Sequence, residues 1–509
     1  MIKASLRLSI VSAFIALLSF GCQIFMAHTF GARHQFDVYL FAISIPFLVM
    51  GASAGAVSMA FVPRLMAARG DRDLYCSTVT ALLGFAILAA IVIAFGGMQL
   101  TVWSTATVRN VFNGSDRVAV MSIARVAWFS AGLGLIVSAL TAVHNTEKSF
   151  VLPAITTSSA YLGMIGAMAL FSASRGSIVL AWGMLAGAAV SVLVLLPRAI
   201  PSIVISGFAK SQIYALFDGV GRVILVVIAN CAFSGLAPVE AFLAPKFGPG
   251  ALSFLGYSQR LIIAMGALVV AGPNVLLVPA IAEACVEKNL QRVKSLSIKA
   301  IGAVCVAGTL AALIFGILRV PLIRLVLQHG AFDSRTTLGV ASTLPWLLVG
   351  SIAVLGAQIA FRALYGQNHH AFPAIAGILV PALYFGLGYL LSNVIGFQGI
   401  CIAYATSWWL IFAALLVKLY GLAPRQLRLL VSRPVLGVGA ALSVAASTTW
   451  AAQKLLLRSG DLYSGVALGL RCCTVASLGI ASFALTGLLF WPRTNLRKLL
   501  QVPGQHGAK

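Results

Sequence analysis

Charged residues are scarce in this sequence, and acidic residues are the scarcest. Only 9% of the 509 residues are charged, and 11 Asp and Glu stand against 35 Lys and Arg. A typical soluble domain carries about 25% charged residues, so this chain has too few to cover the surface of a water-soluble fold. No polar stretch is long enough for a separate soluble domain. With 60% hydrophobic residues and a mean hydropathy of +1.01, the composition indicates a membrane protein throughout.

The sequence also lacks the patterns that carry enzymatic chemistry. Its seven histidines, including the pair His369-His370, show no metal-ligand spacing, and no phosphate-binding P-loop is present. The eight cysteines lie mostly inside apolar runs without a CxxC spacing, which favours small packed residues over metal ligands or disulfides. We therefore predict a transporter without a cofactor, which is neither an enzyme nor an ATP-driven pump.

Long apolar runs recur along the whole chain. Each is about as long as the 20 residues that a helix needs to cross a bilayer, and none has the short alternating pattern of a β-barrel strand. We predict an all-α polytopic membrane protein of about fourteen transmembrane helices. The predicted spans are 8–29, 37–62, 77–103, 118–143, 150–172, 177–197, 212–236, 250–282, 297–318, 337–364, 370–392, 397–417, 434–453 and 466–491.

The first run resembles a signal peptide because Lys3 and Arg7 precede it. It has no convincing small-residue cleavage site and continues to Ala27, which is long enough to span. We expect it to be retained as helix 1.

The basic residues predict the orientation. Cytoplasmic loops of membrane proteins are enriched in Lys and Arg, and this bias places both termini in the cytoplasm. The same bias explains the net charge of +24, which in a soluble protein would suggest nucleic acid. We predict no nucleic-acid partner and a multi-pass protein of the bacterial cytoplasmic (inner) membrane.

A faint internal repeat suggests the domain organisation. Phe61-Val62-Pro63 near the end of segment 37–68 corresponds to Leu277-Val278-Pro279 in segment 253–284. The repeat fits two pseudo-symmetric six-helix halves followed by two C-terminal helices. The predicted parts are an N-terminal half (1–200), a C-terminal half (211–420), two additional transmembrane helices (430–495) and a cytoplasmic tail (496–509).

Residues that allow close packing or bending are frequent in the spans. Forty-eight glycines are present, and we expect those at 132, 163, 187 and 386 to permit close helix contacts. Prolines at 46, 273, 345 and 381 are positioned to break helices. Ordinary membrane packing explains both features, but broken helices that line a cavity would suit a transporter.

Charged side chains inside the spans are the candidate functional residues, because each costs about 2.5–3.5 kcal/mol to insert. Arg260 has no acidic residue within four positions, and its guanidinium suits a phosphate or carboxylate. A structural ion pair with another helix is the alternative. Asp218 and Arg222 lie four apart on one helix face. They either neutralise each other or form a gate that opens when an anionic substrate competes for Arg222.

Other charged residues have weaker functional indications. Arg125 also lies within a predicted span, whereas Arg471 is close enough to a span end to reach the interface. Asp37 and Glu240 lie at span edges, where they would be solvated or would close an external gate.

Four ordered stretches resemble one family. They are Phe30-Gly31-Ala32 with Asp37, Pro46 and Ala60-Phe61-Val62-Pro63, then Tyr257-Ser258-Gln259-Arg260-Leu261 with 275–279, then Gln328-His329-Gly330-Ala331-Phe332, then Phe361-Arg362-Ala363-Leu364-Tyr365 with Pro373. Together with the helix count they resemble the MviN/MurJ lipid II flippases, within the multidrug/oligosaccharidyl-lipid/polysaccharide exporter superfamily. The resemblance covers residues 30–375, and the remaining third agrees only in hydropathy. It implies alternating access, a cationic cavity for a diphosphate-sugar head group and a groove near helices 13 and 14 for a polyprenyl tail.

The resemblance also assigns roles to individual positions. It implies that Arg260 binds substrate in the cavity and that Asp37 is the characteristic acidic position at the start of helix 2. It further implies arginines at three positions that are occupied here by Ala16, Cys22 and Met50. Arg222 or Arg125 would have to replace part of that charge.

The leading hypothesis is a flippase that moves an undecaprenyl-diphosphate-linked glycan precursor, lipid II or a related envelope-polysaccharide intermediate, from the cytoplasmic to the outer leaflet. In this hypothesis Arg260 and Arg222 bind the substrate, Asp37 and Asp218 act as gates, and membrane potential or an ion gradient drives transport. Expected partners are the lipid-linked glycan, membrane lipids, a coupling ion and envelope-synthesis enzymes. Two alternatives stay open. A drug/cation antiporter would need more intramembrane acids, and a non-transporting scaffold would fit the loss of three arginines.

Overall fold

The structure is a computed structural model that describes residues 2–53, 56–107, 114–203, 221, 224–287, 289–367, 369–421, 433–457 and 465–490. Within these ranges the chain is helical and contains no β-strand, which confirms the predicted fold class. The physical reason is that a segment crossing a bilayer must satisfy its backbone hydrogen bonds internally. Asp218, Arg222 and the predicted tail 496–509 lie outside the described residues.

The helices are named in chain order. They are α1 (Ile2–Phe30), α2 (His34–Ser53), α3 (Ala56–Ala68), α4 (Arg72–Thr107), α5 (Gly114–Thr146), α6 (Val151–Thr156), α7 (Ser158–Arg175), α8 (Ile178–Ala199), α9 (Ile224–Ser234), α10 (Leu236–Leu243), α11 (Ala251–Val286), α12 (Leu290–Ile317), α13 (Arg319–Leu327), α14 (Ser334–Gly366), α15 (Ala371–Ile395), α16 (Phe397–Tyr420), α17 (Arg433–Leu456) and α18 (Gly465–Phe490).

The number of membrane-spanning helices is close to the fourteen predicted. Twelve helices in the described ranges are long and apolar enough to cross a membrane, and α9 together with α10 makes a thirteenth, bent by 44°. The remaining predicted span, 434–453, coincides with α17, whose 24 residues are sufficient in length but less apolar. Helix α17 packs along α18.

The four prolines that are positioned to break helices do not interrupt them. Pro46, Pro345 and Pro381 lie inside α2, α14 and α15, and α11 runs without interruption past Pro273. Of the two interpretations, the continuous helices favour ordinary membrane packing, because neighbouring groups in a helical membrane protein can compensate for a missing backbone donor. The bend between α9 and α10 lies instead at Gly235.

Close helix packing at glycines is confirmed at three of the four predicted positions. A Cβ atom at Gly163 would overlap the Gly183 backbone, and one at Gly187 would overlap the Ala160 backbone, so α7 and α8 pack in direct backbone contact. At Gly132 a Cβ would lie 2.9 Å from a backbone oxygen of α4. Gly386 differs, since a Cβ there would meet nothing within 4 Å.

By their contacts the residues fall into two compact units. The first comprises Met1–Ala264, Leu327–Thr343 and Asn368–Ser407, and the second comprises Met265–Val326, Leu344–Gln367 and Trp408–Lys509. In the first unit, α5 packs against α2, α3, α4 and α8. In the second, a small apolar cluster joins α12 to α17 and α18. The division into 1–200, 211–420, 430–495 and 496–509 stays a prediction.

Candidate functional site

Arg260 lies in the third turn of α11 and keeps unused hydrogen-bonding capacity. Its guanidinium carbon is 5.5 Å from the centroid of the Phe36 ring and 5.6 Å from that of Tyr257. Its Nη1 atom is buried and has no hydrogen-bond partner among the residues that the structure describes. In the same residues no acidic side chain forms an ion pair with Arg260. The guanidinium therefore has donors left for an anionic ligand.

An aromatic cluster holds Arg260 in place. The ring of Phe36 stacks on Phe30, Tyr39 and Tyr257, with centroid distances of 6.2, 5.8 and 5.3 Å. Phe332 meets Tyr257 edge-on at 5.2 Å. Cation–π contacts with such rings contribute about 0.5–2 kcal/mol, and they fix the guanidinium without neutralising its charge.

The positions where the resemblance implies arginine lie in different environments. Cys22 is completely buried, and the charge of Arg260 acts electrostatically on it. Met50 is half-buried and Ala16 is exposed. Arg125, considered as a replacement cation, has an exposed side chain on α5. A cysteine within electrostatic range of Arg260 therefore occupies a position where the resemblance implies a second cation.

Asp37 joins the beginning of α2 to the beginning of α11. Its buried carboxylate accepts hydrogen bonds from the Gly250 amide at 2.5 Å, the Ser253 amide at 2.8 Å and the Ser253 hydroxyl at 2.5 Å. The first amides of a helix have no partner within the helix, and a negative charge is favourable at this end. Asp37 thus caps the helix that carries Arg260.

Three of the stretches that resemble the family meet beside this cap. The Tyr257 hydroxyl donates to the Gly31 carbonyl at 2.9 Å, and the Ala331 amide donates to the His28 carbonyl at 2.8 Å. Gly31 has φ +56°, and a Cβ there would overlap the Ala331 carbonyl. These stretches therefore form one packed junction, which gives a structural reason for the glycine at position 31.

Replacing Gly31 by alanine is expected to destabilise the protein. A residue with a Cβ costs about 1–2 kcal/mol in the left-handed conformation, and the overlap with Ala331 adds to that cost. Gly21→Ala is the matched control, because a Cβ at Gly21 on α1 would meet nothing within 4 Å. Thermal unfolding in one detergent should show a lower Tm for Gly31→Ala only. Equal melting temperatures would contradict the packing described here.

The loop between α13 and α14 is fixed by hydrogen bonds between its own polar residues and the first turn of α14. Thr337 donates its hydroxyl to the Gln328 side-chain oxygen at 3.0 Å, and the Thr336 amide donates to the Asp333 carboxylate at 2.8 Å. Hydrogen bonds from the Thr336 backbone and side chain hold the pKa of Asp333 below its usual value. Gln328 and its neighbours therefore have a structural role in this loop.

Glu240 is buried on α10, with 3% of its surface exposed, so the expectation that it is solvated is wrong, whereas a role in an external gate stays a prediction. Its Oε1 atom accepts hydrogen bonds from the Gln259 amide and from the Tyr384 hydroxyl, the latter at 3.0 Å. Cys401 and Tyr404 on α16 interact with it electrostatically. No cationic side chain pairs with Glu240 among the described residues.

The contact between Glu240 and Gln259 connects this carboxyl to Arg260. Gln259 immediately precedes Arg260 on α11, so Glu240 and Asp37 both hold the helix that carries the cavity arginine. Sequence reasoning missed the partners of both acids. The available signal was the rarity of acidic residues inside apolar segments.

Arg471 and the Asp218–Arg222 pair have different outcomes. Arg471 donates to the Leu456 carbonyl at 2.6 Å. It thus stabilises the C-terminus of α17, where a cation is favourable. The Asp218–Arg222 pair lies outside the described ranges, so both its neutralisation and its gating role stay predictions. In the described part of the chain, no group of three or more His, Cys, Asp or Glu residues is arranged to hold a metal ion.

Comparison with known sequences gives a consistent result. The sequence model of the family described as lipid II flippase MurJ matches residues 26–467. The lipid II flippase MurJ of Burkholderia cenocepacia is 24% identical over 449 residues, covering 84% of this chain and 85% of that protein. A probable lipid II flippase MurJ of Thermotoga maritima is 25% identical over 426 residues, covering 80% and 83%.

Solved structures share the fold. A lipid II flippase MurJ in an inward closed conformation aligns with a TM-score of 0.75 and 18% identity, covering 97% of this chain and 99% of that chain. An inward-facing multidrug resistance MATE transporter of the MOP superfamily aligns with a TM-score of 0.67 and 12% identity, covering 81% and 97%. At these identities the structures establish the fold, whereas the sequence match over residues 26–467 establishes the family. This chain belongs to the lipid II flippase MurJ family.

Proposed function

We propose that this protein is a flippase that moves a polyprenyl-diphosphate-linked glycan precursor from the cytoplasmic to the outer leaflet. Lipid II and related envelope-polysaccharide intermediates are the candidate substrates. The proposal rests on family membership, on relatives described as lipid II flippases and on the many helices able to cross a membrane. Transport without a catalytic step suits the site, whose central group is a fixed cation.

The observation that carries the proposal is the unpaired guanidinium of Arg260 in a membrane-spanning helix. A charge at this depth is costly unless it has a partner, and no acidic side chain of the described residues supplies one. A diphosphate offers several oxygens that a guanidinium can bind bidentately. We infer that the substrate head group is the missing partner.

The same electrostatics disfavour the two alternatives. An organic cation would be repelled by Arg260, and the nearby Asp37 carboxylate is already engaged by the amides of Gly250 and Ser253. The drug/cation antiporter is therefore not favoured. A scaffold without transport would have no need to keep an unpaired arginine at membrane depth, at a cost of about 2.5–3.5 kcal/mol.

Reconstitution into vesicles tests the proposal. We expect the protein to move a fluorescent polyprenyl-diphosphate glycan across the vesicle membrane, to the face where a membrane-impermeant quencher reaches it. We expect no movement of a quaternary-ammonium dye. Lipid II and a precursor with a single sugar form separate arms. Dye movement with no glycan movement would establish the antiporter instead.

We further propose that Asp37 is a gating residue. Its bonds to the first amides of α11 join two parts of the chain that are far apart in sequence. Alternating access would require this cap to open and re-form while Arg260 carries the head group. Arg222 as a second substrate-binding residue and Asp218 as a second gating residue remain part of the proposal.

A coupling ion is also proposed, with Glu240 as its binding residue. A buried carboxyl with only Gln259 and Tyr384 as hydrogen-bond partners is most stable when it binds a proton or another cation. In the part of the chain that the structure describes, Cys401 and Tyr404 also interact with it electrostatically. Loading of Glu240 would act on α11 through Gln259. A membrane potential would add about 2.3 kcal/mol per unit charge and 100 mV.

Glu240→Gln is expected to preserve the fold and to uncouple transport from the ion gradient. Glutamine keeps the acceptor oxygen for Gln259 and Tyr384 but cannot carry a titrating proton. Initial rates in vesicles, measured with imposed proton or sodium gradients, should respond in the wild type and not in the variant. Glu283→Gln, at an exposed acid of the same helix α11, is the matched control. An unchanged gradient response in Glu240→Gln would exclude Glu240 as the coupling residue.

The location follows from the same proposal. The protein is a multi-pass membrane protein, and we propose the bacterial cytoplasmic membrane with both termini in the cytoplasm. Envelope-synthesis enzymes that make or use the lipid-linked precursor are the proposed partners. Reporter fusions at each terminus test the orientation.

A further inference from the structure

A crevice of about 540 Å³ lies within the second unit, between α12, α14 and α17. Its walls are mainly apolar and include Leu313 and Gly316 of α12, Leu348 and Val349 of α14, and Trp450 and Gln453 of α17. The volume is within the range of about 300–1,000 Å³ that is usual for ligand pockets. It is too small for a partner helix but suitable for a flexible apolar chain.

The packing around Gly316 leaves this space open. A Cβ atom at Gly316 would lie 3.7 Å from Leu348, its nearest neighbour and an ordinary contact distance. A larger side chain at this position would therefore extend into the crevice. None of the described residues that line it is acidic.

One cation lines the crevice, and a second cation lies over an aromatic ring of its lining. Arg319, at the beginning of α13, lines it with an exposed side chain and donates to the Gly316 carbonyl at 3.2 Å. Lys454 places its ammonium group 3.9 Å from the centroid of the Trp450 ring. Helix α12 ends at Ile317 and α17 at Leu456, so these groups lie at the ends of the two helices. Tryptophan and lysine at such positions are typical of the membrane–water interface.

We propose that this crevice binds an anionic phospholipid. The acyl chain would occupy the apolar space between α12, α14 and α17, and the phosphate would lie at Arg319 and Lys454. Arg319 in the lining, Lys454 over the ring of the lining residue Trp450 and the absence of acids in the described lining favour a net negative head group over a zwitterionic one. The proposal is independent of which glycan the protein transports.

Such a lipid would strengthen the attachment of the C-terminal helix pair. A small cluster joins α17 and α18 to α12, and its buried members are Ile314, Leu318, Ala452 and Val475. A lipid chain between α12, α14 and α17 would add apolar contact to the same attachment. We therefore expect anionic phospholipid to stabilise the second unit.

Delipidated full-length protein tests this assignment. Phosphatidylglycerol is expected to raise the Tm more than phosphatidylcholine with the same acyl chains. Arg319→Gln with Lys454→Gln should weaken phosphatidylglycerol binding, roughly fivefold for each cation removed. Lys418→Gln, which removes a charge at the end of α16 in the same unit, should leave binding unchanged. Equal effects of the two lipids, or unchanged binding in the double variant, would overturn the proposal.

Filling the crevice tests the position of the acyl chain separately from the charge. Gly316→Leu keeps Arg319 and Lys454 but occupies the space, so native mass spectrometry should show loss of one bound phosphatidylglycerol. Retention of that lipid would place it elsewhere and overturn the assignment. Stabilisation by a polyprenyl phosphate but not by phosphatidylglycerol would assign the crevice to the substrate tail instead. If Gly316→Leu fails to fold, the Arg319 and Lys454 variants still decide the matter.

Discussion

Arg260→Ala is expected to abolish transport of the lipid-linked glycan while leaving membrane insertion intact. Arg260 forms no ion pair with the described residues, so removing its charge breaks no such internal contact. Hydrogen bonds to charged groups contribute about 1.5–3 kcal/mol each, so losing one corresponds to roughly a 10- to 150-fold weaker interaction with the head group. If Arg260 binds the head group with two hydrogen bonds, its removal would weaken the interaction further. The initial transport rate in vesicles is the measurement.

Two further variants make this result specific. Arg260→Lys keeps the positive charge but not the planar fork, and we expect a partial loss because a point charge cannot bind a diphosphate bidentately. Arg125→Gln removes an exposed arginine of α5 and should transport at the wild-type rate. Normal transport by Arg260→Ala would remove this residue from the mechanism.

Asp37→Ala is expected to have the second-largest effect. The substitution leaves the amides of Gly250 and Ser253 without their acceptor, and each unsatisfied buried donor costs about 1–3 kcal/mol. The first turn of α11 should then exchange its amide hydrogens faster, and transport should fall because the helix that carries Arg260 is no longer held. Hydrogen–deuterium exchange over residues 250–256 measures the first effect directly.

The controls for Asp37 compare its cap, which joins segments far apart in sequence, with a cap that lies within one local segment. Asp71 accepts from the amides of Asp73 and Leu74 at the beginning of its own helix α4, so Asp71→Ala should affect exchange only there. Asp37→Asn keeps one acceptor oxygen, which can still serve Ser253, and should give an intermediate result. Unchanged exchange in α11 of Asp37→Ala would show that the cap contributes little to holding this helix.

The helical architecture follows from the sequence because membrane helices are determined locally. Each apolar run must satisfy its own backbone in the bilayer, so span 250–282 was predicted close to its position in α11, Ala251–Val286. Arg260 was identifiable for a related reason, since a charge inside a span is costly. The sequence left open whether the helices continue through Pro46 and Pro345, because tolerance of a proline depends on the neighbouring helices.

The contacts of the buried acids could not be deduced from sequence. The Asp37 cap joins residues 213 positions apart, and the Glu240–Tyr384 hydrogen bond joins residues 144 apart. No local pattern specifies such partners, which depend on how helices pack. The resemblance pointed to Asp37 and Gly31, but only the structure shows that one caps α11 and the other allows close approach to Ala331.

The neutral residue at position 22 bears on the choice of substrate. Cys22 interacts electrostatically with Arg260 but supplies no cation, so this part of the described site holds fewer positive charges than the resemblance implies. We expect Cys22→Ser, which changes neither charge nor size greatly, to leave transport intact. The head group that this protein prefers should therefore be compared across several glycans rather than taken to be lipid II alone.

The most direct test of the central claim is the appearance of lipid-linked diphosphate glycans on the outer face of bacteria depleted of their own lipid II flippase. The wild type and Arg260→Ala are compared at equal amounts in the membrane. Precursors on the outer face are modified with an impermeant reagent, and mass spectrometry then measures modified lipid II and other modified envelope precursors. We predict that the wild type raises the externally accessible amount of at least one precursor and that Arg260→Ala does not. No increase for any precursor with the wild type, or an equal increase with Arg260→Ala, would contradict the proposed mechanism.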